Sequence, residues 1–472
     1  MLMAKRWEAP RRWAVRMCEA SRAFATFVAL AGCSSTDNVA PTTPGAGAGR
    51  DEVFAVSMPD AANASDTANG TDSSAVYAKD DRIHHVVIAG QSLALGATGS
   101  PALSTADSPM HLMFDTGLIG PQPCPGTAAE CPGPAGFPAW SKLPAKFVPL
   151  REGLRGNVET ISSGFTDLVD DAVGAAGPYQ VLASIDALGG RTYQEIKKGT
   201  WTYNDALVHM KYGHSIATAM GKKEYIPAVL LVHGESDCIQ RNARYDEDLK
   251  QWQSDFERDG RIATGQTEAI PLFESQVSAI GPCEPVILQW RAASQAPDKI
   301  ILVGPKYQLP YTGIGPHLTN EGYRWLGEYY AKAYRRVVLD GRRWTPLQPH
   351  ALSCSGATLT LKLDVPVPPL VIDNDLVSAV PGSGFTFDDG TPKPPTVTSV
   401  QIAAADTLTI TLSRTPAVTD GSLGYAVYHL TTPGAGPSTG LRGNLRDSDA
   451  TPSRHGYKLH NWLIHFQMKC GT

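Results

Sequence analysis

Between residues 82 and 340 the apolar positions gather in short runs, HHVVIAG ending at Gly90 and others at 179–183, 227–232, 285–290 and 299–303, with helical patterns between them. The clearest helix carries Tyr245, Leu249, Trp252 and Phe256 at steps of four, three and four, and a second repeats Tyr323, Leu326 and Tyr330 at helical spacing. Strand-like runs alternating with helices predict parallel βαβ units, an α/β domain. After about residue 345 the period changes to two, in ATLTLKLDV at 357–365 and TLTITLS at 407–413, with Pro and Gly clusters between. This predicts a small β-sandwich, either a carbohydrate-binding module or a structural appendage. The tail, including Gly440 to Asn444 and Asn461-Trp462, is expected to return onto these strands. The stretch 121–138 reads as a long insert near the functional face, and no internal repeat is evident.

The first 33 residues have another character. Lys5, Arg6, Arg11, Arg12, Arg16 and Arg22 precede an apolar stretch from Ala23 to Ala31 that is too short to cross a bilayer, which reads as an export signal. It ends in Leu30-Ala31-Gly32-Cys33, which resembles the lipobox of bacterial lipoproteins. That resemblance implies acylation of Cys33, a lipid anchor in the membrane and an address in the bacterial cell envelope, the outer membrane being the weaker corollary. Residues 34–80 are rich in small and polar types and cannot bury enough surface to offset chain entropy, so they read as a tether. The expected organisation is a leader at 1–33, a tether at 34–80, an α/β domain at 81–345 and a β domain at 346–472.

A chain of 472 residues accommodates two folded domains. Its net charge of −5 and pI near 6.2, with no basic stripe beyond the leader, argue against a nucleic-acid partner. Cysteines agree with export. Setting Cys18 and Cys33 aside leaves six, grouped by region as Cys124 with Cys131, Cys238 with Cys283 across neighbouring strand ends, and Cys354 with Cys470. None of these spacings suits a zinc site, so no metal is expected.

Ser92 follows the first apolar run directly, in Gly90-Gln91-Ser92. A serine past the end of a parallel strand faces the crevice where open α/β sheets bind ligands, and Gly90 lets the chain turn sharply before it. A serine hydroxyl needs a base to become nucleophilic. Among 12 histidines His317 is selected, because it follows every predicted strand and stands just before the last helix.

With Gly189-Gly190-Arg191-Thr192 after the second strand, His233-Gly234-Glu235-Ser236-Asp237 after the third and His317-Leu318-Thr319 before the last helix, the chain resembles an SGNH-type esterase of the sialate O-acetylesterase-like carbohydrate esterase group. The resemblance covers roughly residues 82 to 340. It implies a flavodoxin-like three-layer fold that removes acetyl groups from sugars by a serine mechanism, without metal or cofactor. It also implies that Ser92 is the nucleophile, His317 the base, and the N–H groups of Ser92 and Gly190 oxyanion donors, with Gln91 and Gly189 beside them in the binding site. Two positions depart from the family pattern. Ile314 stands where an aspartate usually orients the histidine, so either Glu235 or Asp237 supplies the acid or a backbone carbonyl serves. Ser236 stands at the usual asparagine position of the third block, with His233 as the other candidate oxyanion donor; Asp237 could equally be a helix cap. The expected activity is that of a carbohydrate O-acetylesterase. The alternatives are an esterase on other esters and a non-catalytic carbohydrate-binding lipoprotein.

Overall fold

The computed structural model describes residues 81–120, 142–154, 156–174, 178–278, 280, 283–313, 315–427, 434 and 436–471. The leader, Cys33, the tether, the insert at 121–138, the Cys124–Cys131 pairing and Ile314 lie outside the described residues.

A seven-stranded sheet has the order β3-β2-β4-β1-β5-β6-β7. Strands β1 (Ile83–Gly90), β4 (Gln180–Ala187), β5 (Glu224–Val232), β6 (Leu272–Ser275) and β7 (Ile300–Gly304) are parallel. Taken alone their order is 2-1-3-4-5, the flavodoxin-like winding, whose direction reverses at β1. The short strands β2 (Leu112–Phe114) and β3 (Phe147–Pro149) extend the β4 edge, β3 antiparallel. Gly90 lies opposite both Ala187 and Val232, so β1, β4 and β5 end level and their following loops meet at one crevice.

The connections hold helices α1 (Ile161–Val173), α2 (Tyr193–Ile196), α3 (Trp201–Ala219), α4 (Glu235–Ile239), α5 (Tyr245–Thr264), α6 (Glu284–Gln295) and α7 (Asn320–Tyr334). Successive residues of a strand face opposite ways, and β1 shows the result. Val86 and Ile88 join a core with Phe165 of α1 and Leu326 and Tyr330 of α7. Val87 and Ala89 join another with Met210 of α3, Trp252 and Phe256 of α5 and Leu288 of α6. Burial on both faces is why β1 reads as an unbroken apolar run.

Two expectations need correction. The run 285–290 belongs to α6, not to a strand, since a short apolar run fits a buried helix as well as a buried strand. The strand on that side is β6, whose four residues include Glu274 and Ser275. Accordingly Cys238 and Cys283 do form a disulfide, but it joins α4 to the N-cap of α6 instead of two strand ends.

Helices α1 and α7 touch backbone to backbone. A methyl on Gly164 would lie 1.9 Å from the Arg324 carbonyl oxygen, and one on Gly327 would lie 2.2 Å from that of Ile161. Only hydrogen fits at either place.

From residue 348 the strands are antiparallel. They are β8 (Gln348–Ser355), β9 (Thr358–Asp364), β10 (Val371–Ile372), β11 (Phe385–Asp388), β12 (Val397–Ala404), β13 (Thr407–Leu412), β14 (Ser422–Tyr425), β15 (Leu445–Arg446) and β16 (Phe466–Lys469). They form sheets ordered β12-β13-β9-β8, β11-β14-β16 and β10-β15. The Cys354–Cys470 disulfide ties the end of β8 to the residue after β16. The tail does more than return to these strands. His465 exchanges backbone bonds of 2.8 Å with the Gln276 side chain, and its ring lies 2.9 Å from the Ser278 hydroxyl. Tyr307 donates to the Leu463 carbonyl at 2.6 Å. The tail thus seals the β6–β7 side of the parallel sheet.

Candidate active site

At Gly90 the chain turns with φ of +139°, and a Cβ there would lie 2.2 Å from the Val232 carbonyl oxygen. This position admits glycine alone. The next amide, of Gln91, donates to that carbonyl, and a helical turn follows in which Ala94 and Ala97 donate to Gln91 and Ser92. Ser92 stands partly exposed at the rim of the crevice.

His317 arrives from the far end of the sheet, after β7. Its Nε2 lies 2.7 Å from Ser92 Oγ. Two bonds hold the two segments together, Tyr323 donating to the Ala97 carbonyl at 2.7 Å and Thr98 to the Leu318 carbonyl at 3.1 Å, while within the His317 segment Thr312 N donates to the His317 carbonyl at 2.9 Å. Burial pushes the His317 pKa below its usual value of 6.5, partly offset by the charge of Glu235. The ring is therefore neutral near pH 7 with Nε2 free to accept a proton, as a general base requires. Among the described residues nothing accepts a hydrogen bond from Nδ1.

Neither carboxylate of the third block reaches that nitrogen, which corrects the expectation for both. Glu235 is committed to other partners: Oε2 accepts from Gln91 Nε2 at 2.8 Å, and Oε1 pairs with Lys306 Nζ at 2.9 Å. Asp237 accepts the backbone N–H of Tyr193 at 2.9 Å and the Asn242 amide at 2.7 Å. It holds the first turn of α2. His233 is equally committed. Its Nε2 must donate to the Arg191 carbonyl at 2.9 Å, since a carbonyl only accepts, and Nδ1 then accepts the Tyr245 hydroxyl at 2.7 Å. With both ring nitrogens occupied and the side chain buried, His233 has no N–H to offer an oxyanion.

Together His233 and Asp237 clamp the Gly189–Thr192 loop from below. In that loop Gly190 is left-handed, at φ +71°, with open space where a side chain would point. Gly189 flanks the nucleophile, its would-be Cβ 3.7 Å from Ser92 Cβ. Among the described residues the N–H groups of Ser92 and Gly190 donate to no protein acceptor. Two unspent amides beside a serine–histidine pair are the ingredients of acyl transfer with oxyanion stabilisation. Ser236 is buried, and its N–H lies 3.4 Å from Gln91 Oε1, so it braces the loop that carries the nucleophile.

Lys306 was not singled out by the sequence. It is fully buried after β7, with Glu235 as its ion-pair partner. A lone lysine past a Gly-Pro pair gives no sequence signal, and only the burial reveals it. The chain Lys306–Glu235–Gln91 runs beneath the nucleophile and fixes its turn. Among the described residues no group of His, Cys, Asp and Glu is arranged to hold a metal ion, and no helix is long and apolar enough to cross a membrane.

Residues 181–336 match the family described as carbohydrate esterase, sialic acid-specific acetylesterase. The match runs from β4 through α7 and so includes three of the four loops at the crevice. No curated protein matches the chain significantly. Among solved structures, a carbohydrate acetylesterase from Xanthomonas citri is similar over 82% of this chain and 80% of its own, at 16% identity and a TM-score of 0.50. That likeness shows a shared fold. A protein from Arabidopsis thaliana aligns over 53% of this chain and 98% of its own at 17% identity and a TM-score of 0.36. NanS aligns over 56% and 98% at 13% identity and a TM-score of 0.35.

Proposed function

We propose that this chain, a carbohydrate acetylesterase by the family match of its α/β part, works as a serine hydrolase through an acetyl-enzyme at Ser92. The observation that carries this is the 2.7 Å contact between Ser92 Oγ and His317 Nε2, beside two amides that have no acceptor among the described residues. In the first step Oγ bonds to the acetyl carbonyl carbon while its proton passes to Nε2. The carbonyl oxygen gains the negative charge, which the Ser92 and Gly190 amides receive. Collapse breaks the carbon–oxygen bond to the sugar, and the His317 proton goes to the departing alkoxide. Water then repeats the sequence, losing its proton to Nε2, and acetate leaves as Ser92 regains a proton.

The decisive test is acetate release from an acetylated glycan by the wild type and the Ser92→Ala protein. Loss of several orders of magnitude with an unchanged fold supports the reading, because members of such a unit fail together. Turnover at the wild-type rate defeats it.

We further infer that the protein is exported and anchored by acylation of Cys33. Supporting this are the Leu30-Ala31-Gly32-Cys33 pattern and the two disulfides among the described residues, since such bonds persist in oxidising compartments. Mass spectrometry of the mature N-terminus tests it. An unmodified N-terminus at another residue contradicts it.

A further inference from the structure

The antiparallel part carries an open cleft of about 390 Å³, far from Ser92 in the sequence and built without any of the esterase loops. Its walls are mainly apolar, from Pro381, Phe385, Pro394, Pro395 and Val397, with Thr386, Thr396 and Arg442 as polar members. This size and composition suit a small-molecule site.

Arg442 is the informative residue. It is only 8% exposed, and among the described residues its guanidinium meets no carboxylate: it donates to the backbone carbonyls of Ser378, Gly440 and Ala379 at 3.2–3.3 Å. Three of the five guanidinium N–H bonds are thus used, leaving one on each terminal nitrogen. A buried cation without a counter-ion is costly, and desolvation here pulls the Arg442 pKa down. The Thr386 hydroxyl is likewise buried with no partner among the described residues.

We propose that this cavity is an accessory binding site for a sugar acid, its carboxylate meeting Arg442 and its C–H face lying on the proline and valine walls. The carboxylate is what the guanidinium fork matches, and it supplies the negative charge that the protein leaves out. The choice of a sugar over another carboxylate rests on the carbohydrate esterase reading. In such a site the β domain grips an acidic unit of the glycan while the crevice takes an acetylated one.

Titration calorimetry of the full chain with glucuronate, glucose and butyrate tests this separately from catalysis, since none of these is an ester. Glucuronate is expected to bind about tenfold or more tighter than glucose, and Arg442→Ala to remove that difference. Because Arg442 also ties three carbonyls, Val397→Trp provides a second variant that fills the cavity and leaves the arginine alone; it too should abolish binding. Equal affinity for glucose, or glucuronate binding that survives Val397→Trp, overturns the site. Butyrate binding as tightly as glucuronate overturns the assignment to sugars. Acetate release from a simple acetyl ester should be unchanged in both variants, so a failure here is distinguishable from a failure of the esterase reading.

Discussion

Lys306 Nζ lies 2.9 Å from Glu235 Oε1, and the two side chains are 0% and 3% exposed. An ion pair so thoroughly removed from water is sensitive to losing either member, because the survivor becomes an uncompensated buried charge. Lys306→Met should destabilise the protein by about 3–5 kcal/mol. Lys306→Met combined with Glu235→Gln should recover much of that, as measured by chemical denaturation. Turnover of the double variant should stay below wild type, because Gln91 loses its charged acceptor.

The pH profile of kcat/KM should report His317. Its pKa lies below 6.5, so activity is expected to rise with pH through that lower value and to be level at neutrality. Glu235 raises the pKa by its charge, so Glu235→Gln should move the acidic limb to still lower pH. A limb that stays put or moves upward would count against the assignment of His317 as base.

His233 and Asp237 are predicted to act through the loop that bears Gly190, not on the reacting atoms. Asp237→Ala frees the Tyr193 amide and should lower kcat with little change in KM, by less than the roughly 10²–10³-fold typical of losing an oxyanion donor. His233→Phe should behave alike. If either change alters the pKa of the rate profile as well, the residue is closer to the chemistry than the structure places it.

The bridge between Cys354 and Cys470 spans 116 residues and closes the antiparallel part. Replacing both with alanine should cost about 2–5 kcal/mol. Because the tail also packs on Gln276, Ser278 and Tyr307, heat inactivation of the esterase should occur at lower temperature in this variant. An unchanged midpoint would show that the tail holds without the bridge.

Among the carboxyls that burial raises, Glu152 and Glu274 make a testable contribution to the pH dependence of stability. Glu152 is pushed up to about 8 by burial and the nearby Glu159 charge, and Glu274 up to about 8 by burial. Between the ordinary value of 4.5 and about 8 the folded protein holds these protons while the unfolded chain releases them. The contribution of these two groups to stability should therefore fall as pH rises across that window and level off above it, by on the order of 1 kcal/mol per pH unit for each group. Relative to wild type, Glu152→Gln and Glu274→Gln should each gain stability between pH 5.5 and pH 8, measured by denaturation at both values.

Much of this was legible in the sequence because burial on two faces writes itself as apolar runs. Residues 84–90 and 227–232 are strands whose next residues sit at the crevice, and Tyr245, Leu249, Trp252 and Phe256 mark the buried face of α5. Segment 285–290 was misread because α6 is buried among α5, β7 and the tail and loses its polar face over that stretch. Glu235 and Asp237 were placed in the right loop with the wrong partners. Sequence order shows which residues share a loop, but a carboxylate's partner depends on distant groups such as Lys306 and Tyr193. Arg442 gives no signal either, because a missing counter-ion is visible only in three dimensions.

The paired glycines of α1 and α7 leave the last helix without slack. Its N-cap, Thr319, is two residues past His317, so the seat of that helix sets where the imidazole stands. Gly164→Ala or Gly327→Ala would wedge the helices apart, and the displacement would be carried along a rigid rod to the ring. A shift of that size is enough to open a 2.7 Å contact. Such variants are where a folded, soluble and catalytically silent protein would first be found, with every reacting group still present and the spacing between them lost.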